Sequence, residues 1–125
     1  MILDTNALSA IADGESEAVK KFTRSSQVAI PVIVLGEYLF GIAHSRHQQE
    51  YERWLDAAIS VCRLLDITGE TAGWYARIRG QLKEAGTPIP SNDAWIAALC
   101  RQHSLPILSR DQHFDLIKGL RRFDW

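Results

Sequence analysis

Residues 1–10 read MILDTNALSA, and their reading decides the fold. Three apolar residues run straight into Asp4, which Thr5 and Asn6 follow. Three residues cannot bury themselves as a helix, so Met1–Leu3 reads as a short buried strand that ends on a carboxylate. Taken alone, this is a strand stopped by an ordinary cap, with Asn6 or Ser9 capping a first short helix. Residues 105–111, LPILSRD, repeat the pattern: an apolar strand, then Asp111 just past its end. Two strands that each deliver an aspartate to one sheet edge are harder to explain as two unrelated caps.

The segments between these strands alternate. ESEAVKKFTR (15–24) begins with acids and ends with bases, as a helix dipole prefers. QVAI (27–30) is β-branched and apolar, a second strand. Pro31 fits the first turn of the next helix, VIVLGEYLFGIAHS (32–45). HQQEYERWLDAA (47–58) is helical, with Tyr51, Trp54, Leu55 and Ala58 on one face. SVCRLLDI (60–67) reads as a third strand, and TGETAGWYARIRGQLKEAG (68–86) as a long helix closed by Gly86. TPIP (87–90) is a loop, and Ser91 or Asn92 caps the helix DAWIAALCRQHS (93–104). LPILS is the fourth strand and LRRFDW (120–125) a short fifth. Strands alternating with helices predict an α/β three-layer sandwich, a mainly parallel sheet of four to five strands flanked by helices. Ligands of such folds bind beyond the carboxyl ends of the strands.

A chain of 125 residues accommodates one domain, residues 1–125, without repeats or linkers. With 46% hydrophobic and 23% charged residues it is globular, neither disordered nor fibrous. Fourteen basic against 15 acidic residues leave a net charge of −1, which excludes nucleic-acid binding through a broad basic surface but not through local patches. Cys62 and Cys100 form no CxxC motif and read as buried free thiols. No charged segment leading into an apolar stretch follows Met1, and the apolar run Val28–Leu35 is too short to span a bilayer, so a cytoplasmic, membrane-free protein is expected.

Two further carboxylates join Asp4 and Asp111. Glu37 stands inside VIVLGEYLFGIA, where nearly every neighbour is apolar, and a buried unpaired carboxylate is expensive. Either a cation compensates it or it lies at the rim of a cleft. Asp93 lies in the first turn of its helix, where acids are common for the dipole alone; its weight is positional, because helices of parallel folds start near strand ends. Four carboxylates on one edge cannot all stay ionised without compensation. Oxygen-only ligands with no histidine in the set suit Mg²⁺ or Mn²⁺. Such an ion activates water and neutralises charge developing on a phosphate during phosphodiester cleavage. Thr5, Asn6 and Ser109 are short polar groups able to orient the carboxylates, besides their ordinary uses in caps and strand ends.

In this order, ILDTNAL (2–8), VIVLGEYLFG (32–41), SNDAWIAALC (91–100) and ILSRDQHFD (107–115) resemble the four acidic motifs of PIN-domain ribonucleases. The small size is similar to that of the VapC toxins of bacterial toxin–antitoxin pairs. The resemblance implies the PIN fold, Asp4, Glu37, Asp93 and Asp111 as metal-binding and catalytic acids, Phe114 as a core plug, and Asp115 as a residue leaning into the pocket. It also implies a Mg²⁺-dependent endoribonuclease held inactive by a cognate antitoxin lying across the active-site groove. Homodimers and larger toxin–antitoxin assemblies that bind operator DNA through the antitoxin are further implications. Tyr51, Trp54, Trp74 and Trp95 are candidates for such interfaces. RNA reaching an acidic pocket needs flanking cations, and Arg46, Arg77, Arg79, Lys83 and Arg110 are the candidates.

Other readings are a solitary PIN nuclease of RNA maturation or decay, phosphoryl transfer on Asp4, and a non-catalytic binding module. LDTN lacks the second aspartate that DxD phosphatases place two residues on, and the fourth-strand motif lacks a receiver-type lysine.

Overall fold

A computed structural model describes residues 1–125. The elements run β1 (Ile2–Leu3), α1 (Thr5–Ala12), α2 (Ser16–Arg24), β2 (Ala29–Pro31), α3 (Val32–Ile42), α4 (Gln48–Val61), β3 (Arg63–Leu65), α5 (Gly69–Glu84), α6 (Ser91–His103) and β4 (Ile107–Leu108). A 3₁₀ helix, Gln112–Leu116, and β5 (Arg122–Phe123) complete the chain. Strand order is β3-β2-β1-β4-β5, and every pairing is parallel. The expected mainly parallel sheet is therefore wholly parallel.

Order explains the site's location. The chain builds outward from β1 to β2 and β3, then returns to the other side of β1 for β4 and β5. The reversal lies between β1 and β4, whose register pairs Ile2 with Ile107 and Leu3 with Leu108. Strands that diverge to opposite sides leave a crevice at their carboxyl ends. Asp4 follows β1 directly and Asp111 follows β4 after Ser109 and Arg110, so both reach that crevice. Helix α1 touches α2, α3 and α4, whereas α5 packs along α6; these two groups are the layers expected on opposite faces of a sheet with such a reversal. Contact between α3 and α6 joins the layers.

β1, β2 and β4 consist entirely of buried residues, as central parallel strands require. Phe114 is fully buried in the same core, as expected of a plug beneath the last acidic motif. Only Asp4, Thr71 and Ser109 are buried polar residues. Thr71 is explained by the capping box it forms with Thr68 and by its bond to Gln102. The other two belong to the crevice.

Several boundaries differ from the sequence expectation. Asp4 itself caps α1, accepting from the Thr5 amide at 2.9 Å, so Asn6 and Ser9 lie within the helix. Pro31 ends β2 and precedes α3 rather than opening its first turn. Ser91 and Asn92 are the first residues of α6, which follows Pro90. Helix α4 runs on to Val61, so the third strand shrinks to Arg63–Leu65. Gly86 does follow α5, at φ +71°, where a side chain would be strained. Cys100 is buried but Cys62 only half-buried, and burial pushes both thiols up, away from reactivity.

Phe114→Ala should destabilise the protein by about 3–5 kcal/mol, the usual result of emptying a closed aromatic site. Urea unfolding followed by circular dichroism measures it; a loss below about 1 kcal/mol would show that Phe114 is not the plug its burial indicates.

Candidate active site

The Ser109 hydroxyl ties the crevice together. It donates to Asp4 Oδ2 at 2.6 Å and accepts from the Asp111 amide at 2.9 Å. Asn6 Nδ2 bridges Asp4 Oδ2 at 3.0 Å and Ser109 Oγ at 3.2 Å, while Asn6 Oδ1 accepts from the Arg110 amide at 3.2 Å. The first turn of α1 is thereby stitched to the end of β4. Asp4 is 5% exposed. Burial pushes its carboxyl up, Ser109, Thr5 and Asn6 oppose the shift, and Asp111 adds to it.

The other acids arrive from both helical layers. Glu37 comes from α3 and Asp93 from the first turn of α6. Burial raises the Glu37 carboxyl; the nearby Thr5 hydroxyl opposes this, and the charges of Asp4 and Asp93 reinforce it. Asp93 is likewise raised by burial, with Asp111 and Asp4 contributing. The charge of Asp111 thus reaches Asp4 and Asp93, and the charges of Asp4 and Asp93 reach Glu37, so the four acids expected from sequence lie near one another. Neither Glu37 Oε1 nor Thr5 Oγ1, both buried, completes a hydrogen bond. Thr5 acts on Glu37 as a neighbouring dipole rather than through a formed bond.

His113 is the residue missing from the sequence expectation of an oxygen-only set. Its Nδ1 lies 3.1 Å from Asp93 Oδ2 and 3.1 Å from Asp111 Oδ1. Its backbone amide donates to Asp111 Oδ1 at 2.9 Å. The bond to Asp93, then the charges of both acids, raise the imidazole above its ordinary value. Ligand atoms of Asp93, Asp111 and His113 all lie within 4.8 Å of one another. The available signal was its place two residues past Asp111, where the 3₁₀ turn folds a side chain back over its cap.

The donor chemistry fits a hard divalent cation. Asp4, Glu37 and Asp93 each have a pKa raised by burial and by a neighbouring acid, Glu37 Oε1 is buried and unpartnered, and the one basic side chain that bonds among the acids is a histidine.

Some expected residues face elsewhere. Asp115 does not lean into the pocket: Arg122 holds it through two 2.8 Å bonds, keeping its carboxyl below the usual range. Arg110 turns its guanidinium to Glu15 at 3.0 Å and lies over the Trp125 ring. Arg77 stacks on Trp74. Arg79 points usefully, donating to Tyr75 Oη at 2.7 Å and to Ser91 Oγ at 3.3 Å on the helix turn that carries Asp93. Lys83 shares with it a groove of about 420 Å³. Arg46 is exposed beyond the end of α3. Trp95 stacks on Tyr75, and Trp54 and Tyr51 pack against Tyr38, so these aromatics are partly internal.

The family pattern of the PIN domain matches residues 1–120. The chain belongs to the PIN-domain family. It is 27% identical to ribonuclease VapC2 of Rickettsia felis over 129 residues, spanning 99% of this chain and 96% of that protein. It is also 27% identical to the tRNA(fMet)-specific endonuclease VapC of Salmonella typhimurium over 127 residues, spanning 99% and 96%. The structure superimposes on DNA-bound VapBC from Salmonella typhimurium with a TM-score of 0.87 at 26% identity, covering 99% of this chain and 96% of that one. No helix of this PIN domain is long and apolar enough to cross a membrane.

Crowded acids have a signature in stability. Because folding raises the Glu37 pKa, the folded form binds the proton more tightly, and stability falls as pH rises from the unfolded value through the folded one. Glu37→Gln should therefore melt a few degrees higher than wild type at pH 7 in chelator, with the advantage vanishing below about pH 4, where the carboxyl is protonated in both states. Scanning calorimetry at the two pH values is the check; equal melting temperatures at pH 7 would contradict the crowding.

Proposed function

We propose that this PIN domain is a divalent-metal-dependent endoribonuclease and the toxin of a toxin–antitoxin pair. The observation that supports this most is the convergence of Asp4, Glu37, Asp93 and Asp111, from two strand ends and two helices, on the crevice between β1 and β4. Ribonuclease and endonuclease names of full-length relatives support the reaction class.

The four acids would hold Mg²⁺ or Mn²⁺. When bound, the ion supplies a water of lowered pKa and neutralises charge gathering on the cleaved phosphate. The chain's own contribution is preorganisation. Ser109 and Asn6 hold Asp4 Oδ2, and the Thr5 amide holds Oδ1, so the buried carboxylate keeps one orientation. Asp111 is fixed as a cap by the His113 amide, and Asp93 by the His113 ring. His113 Nδ1 lies 3.1 Å from both Asp93 Oδ2 and Asp111 Oδ1, so its ring orients these two carboxylates and would be placed to join them in holding the ion. Arg79, held beside the first turn of α6, and Lys83 in the adjoining groove supply phosphate contacts to RNA. Single-stranded or looped RNA suits this open crevice, where the backbone is accessible.

The partner reading rests on a second feature. Phe40 is 83% exposed, and with Val32, Ile33 and Gly36 it lines a groove of about 460 Å³ that runs up to Glu37. An apolar groove beside a charged crevice is the surface an amphipathic antitoxin segment covers, with a basic side chain against the acids. Homodimers and operator binding through the antitoxin belong to the same proposal, in keeping with the DNA-bound VapBC neighbour.

Asp4→Asn should cut Mn²⁺-dependent cleavage of single-stranded RNA by at least about 10²-fold, the scale of losing one preorganised group at a reacting centre. Circular dichroism should be unchanged. Chelation of wild type should have the same effect, and calorimetry should show Mn²⁺ binding that is lost in Asp93→Asn. Asp115→Asn should leave binding intact. Full activity of pure Asp4→Asn protein would remove the site assignment, and Mn²⁺ binding indifferent to Asp93 would favour a non-catalytic module.

A further inference from the structure

Six cations of the chain lie over aromatic rings: Lys21 and Arg121 over Phe123, Arg77 and Arg101 over Trp74, Arg79 over Tyr75, and Arg110 over Trp125. Four of them also spend N–H donors on hydrogen bonds. Arg77 donates to the Gly73 carbonyl, Arg79 to Tyr75 and Ser91, Arg101 to the Gly119 carbonyl and Arg110 to Glu15. Lys21 and Arg121 make neither a side-chain hydrogen bond nor an ion pair, although they share one ring. Lys21 Nζ lies 5.8 Å and Arg121 Cζ 5.2 Å from its centroid. The ring fixes both cations and leaves all their N–H donors free. Two like charges against one phenyl ring repel each other, and an anion between them relieves the repulsion. Arg24, one turn further along α2, is likewise exposed and unpaired.

This patch borders the crevice. Phe123 pairs in register with Leu108, the residue before Ser109, and Trp125 lies against Arg110, the residue before Asp111. Helix α2 follows the same edge: Glu15 at its start meets Arg110 and Trp125, and Lys21 further on meets Phe123. The acids nearby are already answered, Glu17 by Lys20 at 2.6 Å, Glu15 by Arg110, and Asp115 and Asp124 by Arg122. Lys21, Arg24 and Arg121 remain as a local surplus of positive charge on a chain whose total is −1. Helix α2 packs with α1, whereas Arg79 and Lys83 stand on α5 in the other helical layer. A polyanion lying across the crevice from one layer to the other therefore meets free cations at both ends.

We propose that the surface formed by Lys21, Arg24 and Arg121, on the outer edge made by α2 and β5, carries the phosphates of an RNA strand on the side of the cut away from Arg79. The inference rests on the nuclease reading, which supplies the strand that has to continue past Asp111. The sign of the charge repels a guanidinium or any other cationic group and selects an anion. Free N–H donors on an arginine and a lysine suit phosphate oxygens, and such contacts hold a strand in register without reading its bases. An acidic peptide has the same sign, but only the strand being cut is obliged to run from Asp111 onto this edge. Holding the strand on both sides of the crevice keeps a phosphate over acids that alone repel it.

The experiment titrates the full chain, in chelator so that nothing is cut, into fluorescein-labelled oligouridylate of about twelve nucleotides and follows anisotropy over a series of salt concentrations. Lys21→Gln and Arg121→Gln are measured singly and together. A control that combines Arg53→Gln with Arg63→Gln removes the same charge from exposed positions on α4 and on β3, the opposite edge of the sheet. Thermal melting checks folding. Each single variant should lower the slope of log K against log salt by about 0.7 and the double variant by about 1.4, weakening binding at least about fivefold at low salt. The control should keep the wild-type slope. If wild type cleaves RNA, the double variant should raise KM by a similar factor. Equal slopes in wild type and double variant, no RNA binding by wild type, or the same loss in the control would overturn the proposal. So would polyglutamate of equal charge displacing the labelled strand as well as unlabelled RNA does, which would make this edge a site for an acidic protein segment. If wild type binds as expected yet cleaves nothing, the nuclease reading fails alone and the phosphate track stands.

Discussion

A single hydroxyl bond, from Ser109 to the buried carboxylate of Asp4, ties the end of β1 to the end of β4. Everything that matters chemically is arranged around it. β1 and β4 are each two residues long, too short for their own ladder to position the residues beyond their ends. Polar closure by Ser109 and Asn6 positions them instead. The same closure lets a carboxylate sit in the core without an ion pair, because both its oxygens accept hydrogen bonds.

The second constraint is charge. Gathering four acids at the reversal of strand order works against stability, since burial and mutual repulsion raise the pKa of three of them. The fold relieves this locally through His113, which bridges Asp93 and Asp111. Elsewhere it pairs charges away from the site. Arg122 holds Asp115 and donates to the Ser109 carbonyl at 3.0 Å, and Arg110 joins Glu15 and Asp124. These pairs knit the C-terminal strand to the rim of the crevice, so cations adjacent in sequence to the acids are kept out of it.

Much of this was legible in the chain. Apolar runs named all five strands, and the parallel architecture followed from their alternation with helices. The four acids were marked by position: two ended strands, one interrupted an apolar helix, and one opened a helix that starts near the strand ends. What failed was local detail. Asn6 and Ser91 looked like caps because their types favour it, yet Asp4 and Pro90 hold those places. Asp115 was placed in the pocket by resemblance and Arg110 by adjacency to Asp111, but Arg122 draws the first away and Glu15 the second. His113 escaped because only the 3₁₀ turn after Asp111 brings its ring back to the acids.

By itself, then, the sequence determined the architecture and singled out four acids as candidates for one site, because hydrophobic periodicity and buried charge are written in residue type and order. Tertiary structure alone decided which groups meet. It placed His113 between two acids, turned Asp115 to Arg122 and Arg110 to Glu15 and Asp124, and left Glu37 Oε1 buried without a partner. Those outcomes depend on distances between side chains from different elements, and such distances exist only once the sheet has closed between β1 and β4.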